Sequence, residues 1–338
     1  MYKNVYKYDE MKRAEHMAVR ENVGWYLFTH EIIEVTGKDA AAFLDYACPK
    51  PIGTLDVSRA RYTTILDEKG IIRDDVVVFR MDESTFWVST LYTKKTIPWF
   101  EDIKGDYDVQ FANITAAWDM YSIQGPRSLE LVDNILDEPV DDLKFFQIKD
   151  DTLDGTPVKV SRGGFTGEQL GFELYISTED TSKAVEALRA AAPQFGGTQV
   201  TDIQIMVWTL PTEKGYYLMC DLSRTNPFEV GLDAGIDWDK DFVGKAALLE
   251  LKESGPARKL FGFTVDEDDI FIPARNIGGP GTPVMVEGEE RGRVTKVAYS
   301  YVNDQNIGYA LADASLKPGD KVDLHGFEAV LCELPFVK

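Results

Sequence analysis

The stretch from Ser161 to Ser177, SRGGFTGEQLGFELYIS, limits the possible folds more than any other part of the chain. Gly163, Gly164, Gly167 and Gly171 crowd into its first two thirds. Their spacing predicts an open turn whose main-chain N–H and C=O groups can approach a flat ligand, since no Cβ intervenes. From Gly171 the pattern becomes that of a strand, with Phe172, Leu174 and Ile176 on one face and Glu173 and Tyr175 on the other. Glu173 thus leaves the turn on a rigid element, where one carboxylate can hold a pair of ring N–H groups. A Gly-rich hairpin with a water-facing glutamate has the same pattern.

A second candidate lies earlier. RARYTTILDEKG and IIRDDVVVFR predict two strands joined by a turn at Asp67–Gly70, and Asp74 and Asp75 open the second. Period two sends these carboxylates to opposite faces, so alternation allows one of them to point at whatever the Gly-rich turn encloses. The other elements read in order. A helix is expected within residues 1–22, one strand over WYLFTHEIIEV, a helix over KDAAAFLDYAC, a strand at FWVST and a helix from Lys94 to Ile103. MYSIQGPRSLELVDNIL repeats the strand, glycine, helix pattern of EVTGKDAAAFLDYAC, Gly125 answering Gly37, which suggests two related units. A further helix is expected over 181–192, whereas Val200–Leu222 fits no single pattern. Residues 253–259 read as a linker, and beyond them short strands alternate with Gly and Pro turns, the pattern of a small all-β barrel or sandwich.

With 338 residues the chain can fill two domains, expected over 1–252 and 260–338. A net charge of -21 argues against nucleic acid, which needs clustered Lys and Arg. No segment is long and apolar enough to span a membrane and the polar start lacks a signal-peptide core, so a cytoplasmic protein is expected. Cys48, Cys220 and Cys332, like His16, His30 and His325, form no disulfide, metal or nucleophile motif.

SRGGFTGEQLGFELY resembles the SRTGYTGEDGFEL signature of the glycine-cleavage T-protein family, and RTNPFEVGL with KDFVGKAALLELK resembles its second signature. HMAVRENVG, RARYTTILDEKG, IIRDDVVVF and SIQGPRS match in order, so the resemblance covers nearly the whole chain. It implies an α+β, three-lobed fold that binds tetrahydrofolate in a central cavity and ends in a small all-β barrel. It also implies a one-carbon transferase, since the family holds aminomethyltransferases and tetrahydrofolate-dependent demethylases. By the same resemblance Asp75 is the active-site aspartate, Glu173 the acid that binds the pterin ring and Tyr62 a tyrosine of the folate pocket. Phe165, where the family has tyrosine, and Gly167 fall in the folate-binding turn.

The departures from the family pattern gather on the donor side. LFTHEIIE replaces DVSHMGE, STLYT replaces an asparagine-containing loop, and Thr201 stands where an arginine precedes the aspartate matched by Asp202. Trp25, Tyr26, Trp87, Tyr92, Trp208, Tyr216 and Tyr217 lie in or near these stretches, and aromatic side chains suit a methoxylated ring or, through cation–π contact, a sulfonium or ammonium donor. The expectation is therefore a demethylase moving a methyl group from a small O-, S- or N-methyl donor, a methoxyaromatic by preference, to folate N5. A phenolic leaving group would take its proton from an acid such as Tyr26, Tyr92 or Tyr216. The alternatives are aminomethyl transfer within glycine cleavage, with an acidic carrier that the charge of -21 disfavours, and folate binding without catalysis. No metal is expected, and the oligomeric state stays open.

Overall fold

A computed structural model describes residues 6–28, 30–275 and 279–338. Helix α1 (Glu10–Glu21) starts where the Asp9 carboxylate accepts the Lys12 N–H at 2.9 Å, satisfying one of the free donors of the first turn. The stretch expected as one strand is two, β1 (Gly24–Leu27) and β2 (Glu31–Thr36), which enter different sheets. Phe28 N–H donates to Met120 O, and the chain then crosses from one sheet to the other. β-Propensity continued through the crossing; pairing did not.

After α2 (Ala40–Ala47) come β3 (Ala60–Leu66), β4 (Ile72–Arg80), β5 (Thr85–Thr90), α3 (Thr93–Ile103) and β6 (Gln110–Asn113). They form a sheet of order β3-β4-β5-β2-β6. The plan then recurs: β7 (Trp118–Gln124), α4 (Ser128–Ile135), β8 (Ile148–Leu153), β9 (Thr156–Arg162), β10 (Gly171–Ser177) and α5 (Thr181–Ala191), with the short β11 (Thr198–Gln199). The second sheet runs β11-β1-β7-β10-β9-β8, so β10 pairs with β7 as β5 pairs with β2. The likeness of Gly37 to Gly125 marks this duplication. Their φ angles are +132° and +124°, and a Cβ would lie 2.3 Å from Asp108 O or 2.4 Å from Val19 O. Only glycine lets the helix turn back so tightly onto its sheet.

Each sheet buries one face under its own helices. Val35, Phe43, Val76, Val78 and Phe100 fill the first core, and Trp25, Phe172, Leu174, Ile176 and Leu188 the second. The other faces meet through Ile32, Val77, Phe79, Trp87, Met120 and Tyr175. Alternation along β4 and β10 is thus obeyed on both sides. The stretch that fitted no pattern holds a π-helical turn, Ile205–Thr209, continued by α6 (Leu210–Glu213) and followed by α7 (Met219–Leu222). Helix α8 (Lys245–Ser254) leads to β12 (Arg258–Val265), β13 (Pro283–Val286), β14 (Glu289–Ser300), β15 (Gln305–Asp313), β16 (Lys321–Leu324) and β17 (Phe327–Cys332), which close into a barrel of order β12-β15-β14-β13-β16-β17.

The barrel braces the irregular stretch. A bulge between Val294 and Lys296 re-aims β14, and Lys296 Nζ lies 2.8 Å from Asp221 Oδ2, both residues fully buried. Thr295 Oγ1 donates to Asp221 Oδ1 at 2.6 Å, and the Lys296 ammonium sits over the Tyr309 ring at 4.6 Å. Trp208 Nε1 donates to Val297 O at 2.9 Å. Among the described residues no helix is long and apolar enough to cross a membrane.

Candidate functional site

Between the two sheets and the stretch braced by the barrel lies a cavity of about 1110 Å³. This lies at the top of the roughly 300–1,000 Å³ range of small-molecule sites, room for a large, extended ligand. Glu173 reaches it from the middle of β10, where pairing with β7 and β9 fixes the backbone on both sides. The residue is 4 % exposed, and its carboxylate takes one hydrogen bond from protein among the described residues, the Tyr175 hydroxyl donating to Oε2 at 3.0 Å. The remaining lone pairs face the cavity. Burial pushes the Glu173 carboxyl up to about 7, against a smaller opposing effect of the Tyr175 hydrogen bond. A ligand presenting two adjacent N–H donors would restore what burial removes.

Asp75 reaches the cavity from β4. The Tyr62 hydroxyl, from β3, donates to its Oδ2 at 3.0 Å. Asp75 is half-buried, part of its surface open to the cavity, and burial raises its carboxyl to about 6, the Tyr62 hydrogen bond opposing the rise. Asp74 points to the opposite face of β4, as alternation requires, yet it also borders the cavity.

Of the other residues singled out from the sequence, Tyr92, Tyr216 and Phe165 line the cavity, as do Trp208 and Tyr217. Tyr26 does not; alternation from the buried Trp25 puts it on the same face of the second sheet as Ser122, where it packs with Val19, Val200, Ile205, Met206 and Leu210. Trp25 and Trp87 are core residues. Thr201 also lies elsewhere, its N–H and hydroxyl both donating to the Glu15 carboxylate, so the absence of an arginine there does not alter the cavity wall.

The glycines of the turn serve packing more than ligand approach. Gly167 is not on the cavity wall; at φ +79° it leaves room for the Lys214 stem, whose Cβ lies 2.2 Å from where a Gly167 Cβ would stand. A Cβ at Gly164 or Gly171 would meet the Gln124 side chain at 2.2 or 2.4 Å. That amide ties the turn down, donating to Gly163 O at 3.1 Å and accepting from Thr166 Oγ1 at 2.8 Å. Glu168 pairs with Arg20 instead of facing a ligand.

His30 belongs to the wall although no motif marked it. Its Nδ1 is 2.7 Å from Ser89 Oγ, its ring lies edge-on to Phe28 with centroids 4.6 Å apart, and Phe165 is 5.6 Å away. Burial lowers its imidazole to about 4, which keeps it neutral. Lys50, Arg61, Lys214 and Arg275 add cationic groups to the wall. Nothing in the local sequence separates these five from surface residues, because they come from five different segments.

These groups fit the tetrahydrofolate implied by the sequence resemblance. A buried carboxylate with free lone pairs meets the N–H edge of a pterin, Phe28 and Phe165 supply aromatic surface, and the cations suit an anionic tail. Among the described residues no cluster of His, Cys, Asp or Glu could hold a metal ion.

A family model described as the GCVT N-terminal domain matches residues 1–240, and one described as the glycine cleavage T-protein C-terminal barrel domain matches residues 258–338. The chain is 30% identical over 332 residues to a protein of Thermotoga neapolitana named aminomethyltransferase, covering 96% of this chain and 89% of that one. It is 33% identical over 347 residues to an aminomethyltransferase of Streptomyces avermitilis, covering 97% and 90%. The crystal structure of glycine cleavage system aminomethyltransferase T from Bartonella henselae superposes with a TM-score of 0.85 at 22% identity, covering 96% of this chain and 89% of that one, a likeness of fold.

Proposed function

Because the chain belongs to the glycine-cleavage T-protein family, whose members use tetrahydrofolate, we propose that it transfers a one-carbon unit to tetrahydrofolate held between Glu173 and Asp75. The observation that carries this reading is the placing of a buried carboxylate with free lone pairs and an Asp75–Tyr62 pair on the walls of one cavity. The curated relatives favour the aminomethyl group as the unit transferred. Tyr92, Trp208, Tyr216 and Tyr217 favour a second reading, a methyl group from a small aromatic or cationic donor, since they give the cavity an aromatic wall.

When bound, tetrahydrofolate supplies a ring amine that accepts the carbon. Glu173 holds and orients the ring edge through its free lone pairs, and the Tyr175 hydroxyl fixes its rotamer. Asp75, ionised for the most part at neutral pH, stabilises positive charge developing at the amine and can take its proton. Tyr62 keeps Asp75 aimed and ionised. Phe28 and Phe165, which pack against His30 on the cavity wall, offer the ring aromatic surface and limit water beside it.

The test is mass spectrometry of tetrahydrofolate incubated anaerobically with the protein and each donor class. Methylenetetrahydrofolate and ammonia from an aminomethylated thiol carrier would support the first reading, and 5-methyltetrahydrofolate from a small methyl donor the second. No product from either class overturns both. Asp75→Asn should lower turnover by about 10²–10⁴-fold with tetrahydrofolate binding kept; unchanged turnover would remove Asp75 from the reaction.

A further inference from the structure

Residues 214–218, between α6 and α7, put Lys214, Tyr216 and Tyr217 on the cavity wall without the support of a helix or strand. Their backbone groups must therefore find partners elsewhere. The Tyr216 N–H donates to Pro211 O at 2.9 Å, while Tyr216 O accepts from Lys296 Nζ at 3.3 Å and from the Tyr309 hydroxyl at 3.1 Å. The Leu218 N–H donates to Asp221 Oδ2 at 2.9 Å, and that same oxygen faces Lys296 Nζ. One buried ammonium from β14 thus holds the stretch at both ends. A bulge puts it there. By alternation from Val294, which faces the barrel core, Lys296 would also point inward; the extra residue reverses this, so that Val297 returns to the core while Thr295 and Lys296 both turn to the Asp221 carboxylate.

A brace alone has no need of charge, because apolar side chains of similar volume commonly replace a buried ion pair without loss of stability. We propose that Lys296 is a positioning residue for the transfer reaction, fixing from the barrel the stretch of cavity wall, residues 216–220, against which the donor lies. This rests on the one-carbon-transfer reading and holds for either donor class, since an aminomethylated thiol arm and a small methyl donor would meet the same wall. Glu173, which holds the ring edge in that reading, takes its support from Tyr175 and from the pairing of β10. The Lys296 network can therefore be loosened without touching the ring-binding carboxylate.

The ammonium meets the wall through side chains as well as backbone, lying 5.3 Å from the Trp208 ring centre. The pair also reaches the reacting end through its field. Burial raises the Asp75 carboxyl, the Asp221 charge adds to the rise, and the Lys296 charge opposes it. Around the pair stand Tyr217, Cys220 on α7, Tyr309 on β15 and Arg275 ahead of β13. With both partners present their effects on Asp75 oppose each other; an Asp221 carboxylate left alone would push Asp75 further up and move the acid limb of turnover with it.

The experiment compares wild type, Lys296→Met, the double variant Lys296→Met with Asp221→Leu, and Tyr309→Phe in urea stability, tetrahydrofolate affinity by calorimetry, and kcat and donor KM against pH. Positioning requires that the double variant regain most of the stability lost in Lys296→Met and bind tetrahydrofolate as wild type does, yet lose roughly tenfold or more in kcat/KM for the donor. Tyr309→Phe, which takes one hydroxyl from Tyr216 O and leaves every charge in place, should show the same split more weakly. An acid limb that rises in Lys296→Met and returns in the double variant supports the proposal. Turnover that returns with stability in the double variant overturns it and leaves Lys296 a brace. A loss of tetrahydrofolate affinity as large as the loss of turnover also overturns it, since the whole cavity would then have loosened. Should Lys296→Met not fold, the double variant and Tyr309→Phe decide. A wild type that transfers carbon from no donor overturns the functional reading and the positioning role with it, whereas an active wild type beside a fully active double variant overturns the positioning role alone.

Discussion

Replacing Glu173 by Gln should make the protein more stable and a poorer folate binder, and the size of both effects follows from burial. The Glu173 carboxyl rises from 4.5 to about 7 because the folded protein removes it from water. Between those values the native state holds a proton that the unfolded chain has lost, so stability falls as pH rises through this window. At roughly 1.36 kcal/mol per pH unit the full cost of ionised Glu173 is about 3 kcal/mol, of which roughly 2–3 kcal/mol develops between pH 5 and pH 8. Gln is nearly isosteric, still accepts from the Tyr175 hydroxyl and does not ionise. It carries a pH-independent cost of burying an amide, so the informative quantity is the change in the mutant's advantage between the two pH values. Urea unfolding of both proteins at pH 5 and pH 8 measures it. The same substitution exchanges a charge-assisted acceptor for a neutral amide and sets an NH₂ group against the ligand's donors, which should weaken tetrahydrofolate binding on the order of 10²-fold by calorimetry. An advantage that does not grow with pH would show that Glu173 is well solvated, and unchanged affinity would show that the pterin edge lies elsewhere.

Three other outcomes follow from the same geometry. Tyr62→Phe removes the hydroxyl that restrains the Asp75 carboxyl, so the acid limb of the pH profile of kcat/KM should move up by roughly one unit; an unmoved limb would uncouple Asp75 from turnover. Lys296→Met leaves Asp221 buried without its partner and should cost about 3–5 kcal/mol in urea unfolding, much of it recovered in the double variant with Asp221→Leu; two additive losses would refute the pairing. Gly125→Ala forces a side chain into φ +124° and against Val19 O, and should lower the thermal midpoint far more than Gly155→Ala, where nothing lies within 4 Å of the added Cβ.

Much of the cavity was legible because period-two alternation operates within one strand. It put Glu173 opposite Phe172 and Leu174, and set Asp75 apart from Asp74. The duplicated plan was visible as a shared strand, glycine, helix pattern around Gly37 and Gly125, since the strands themselves share pattern more than residues. Tyr26 misled because its neighbours in sequence cross between sheets, so nearness to an altered stretch said nothing about which void its ring would face. Gly167 misled differently: its positive φ was a sound expectation, but the open side of the turn accommodates Lys214 and Gln124 in place of a ligand.

What the sequence determined alone is whatever one element decides by itself: the strand faces, the helices that follow Gly37 and Gly125, the barrel with its Gly and Pro turns, and the two signatures of the family. Tertiary structure decided what needs several elements at once. His30, Ser89 and Phe165 meet only because the segment before β2, the central strand of the first sheet and the glycine turn of the second converge. Asp74 gains both its hydroxyl partners only because Thr90 and Thr96, from different elements, close on it together. Alternation is a property of the backbone and can be read from order, whereas a cavity wall is a property of packing and belongs to residues that order keeps far apart.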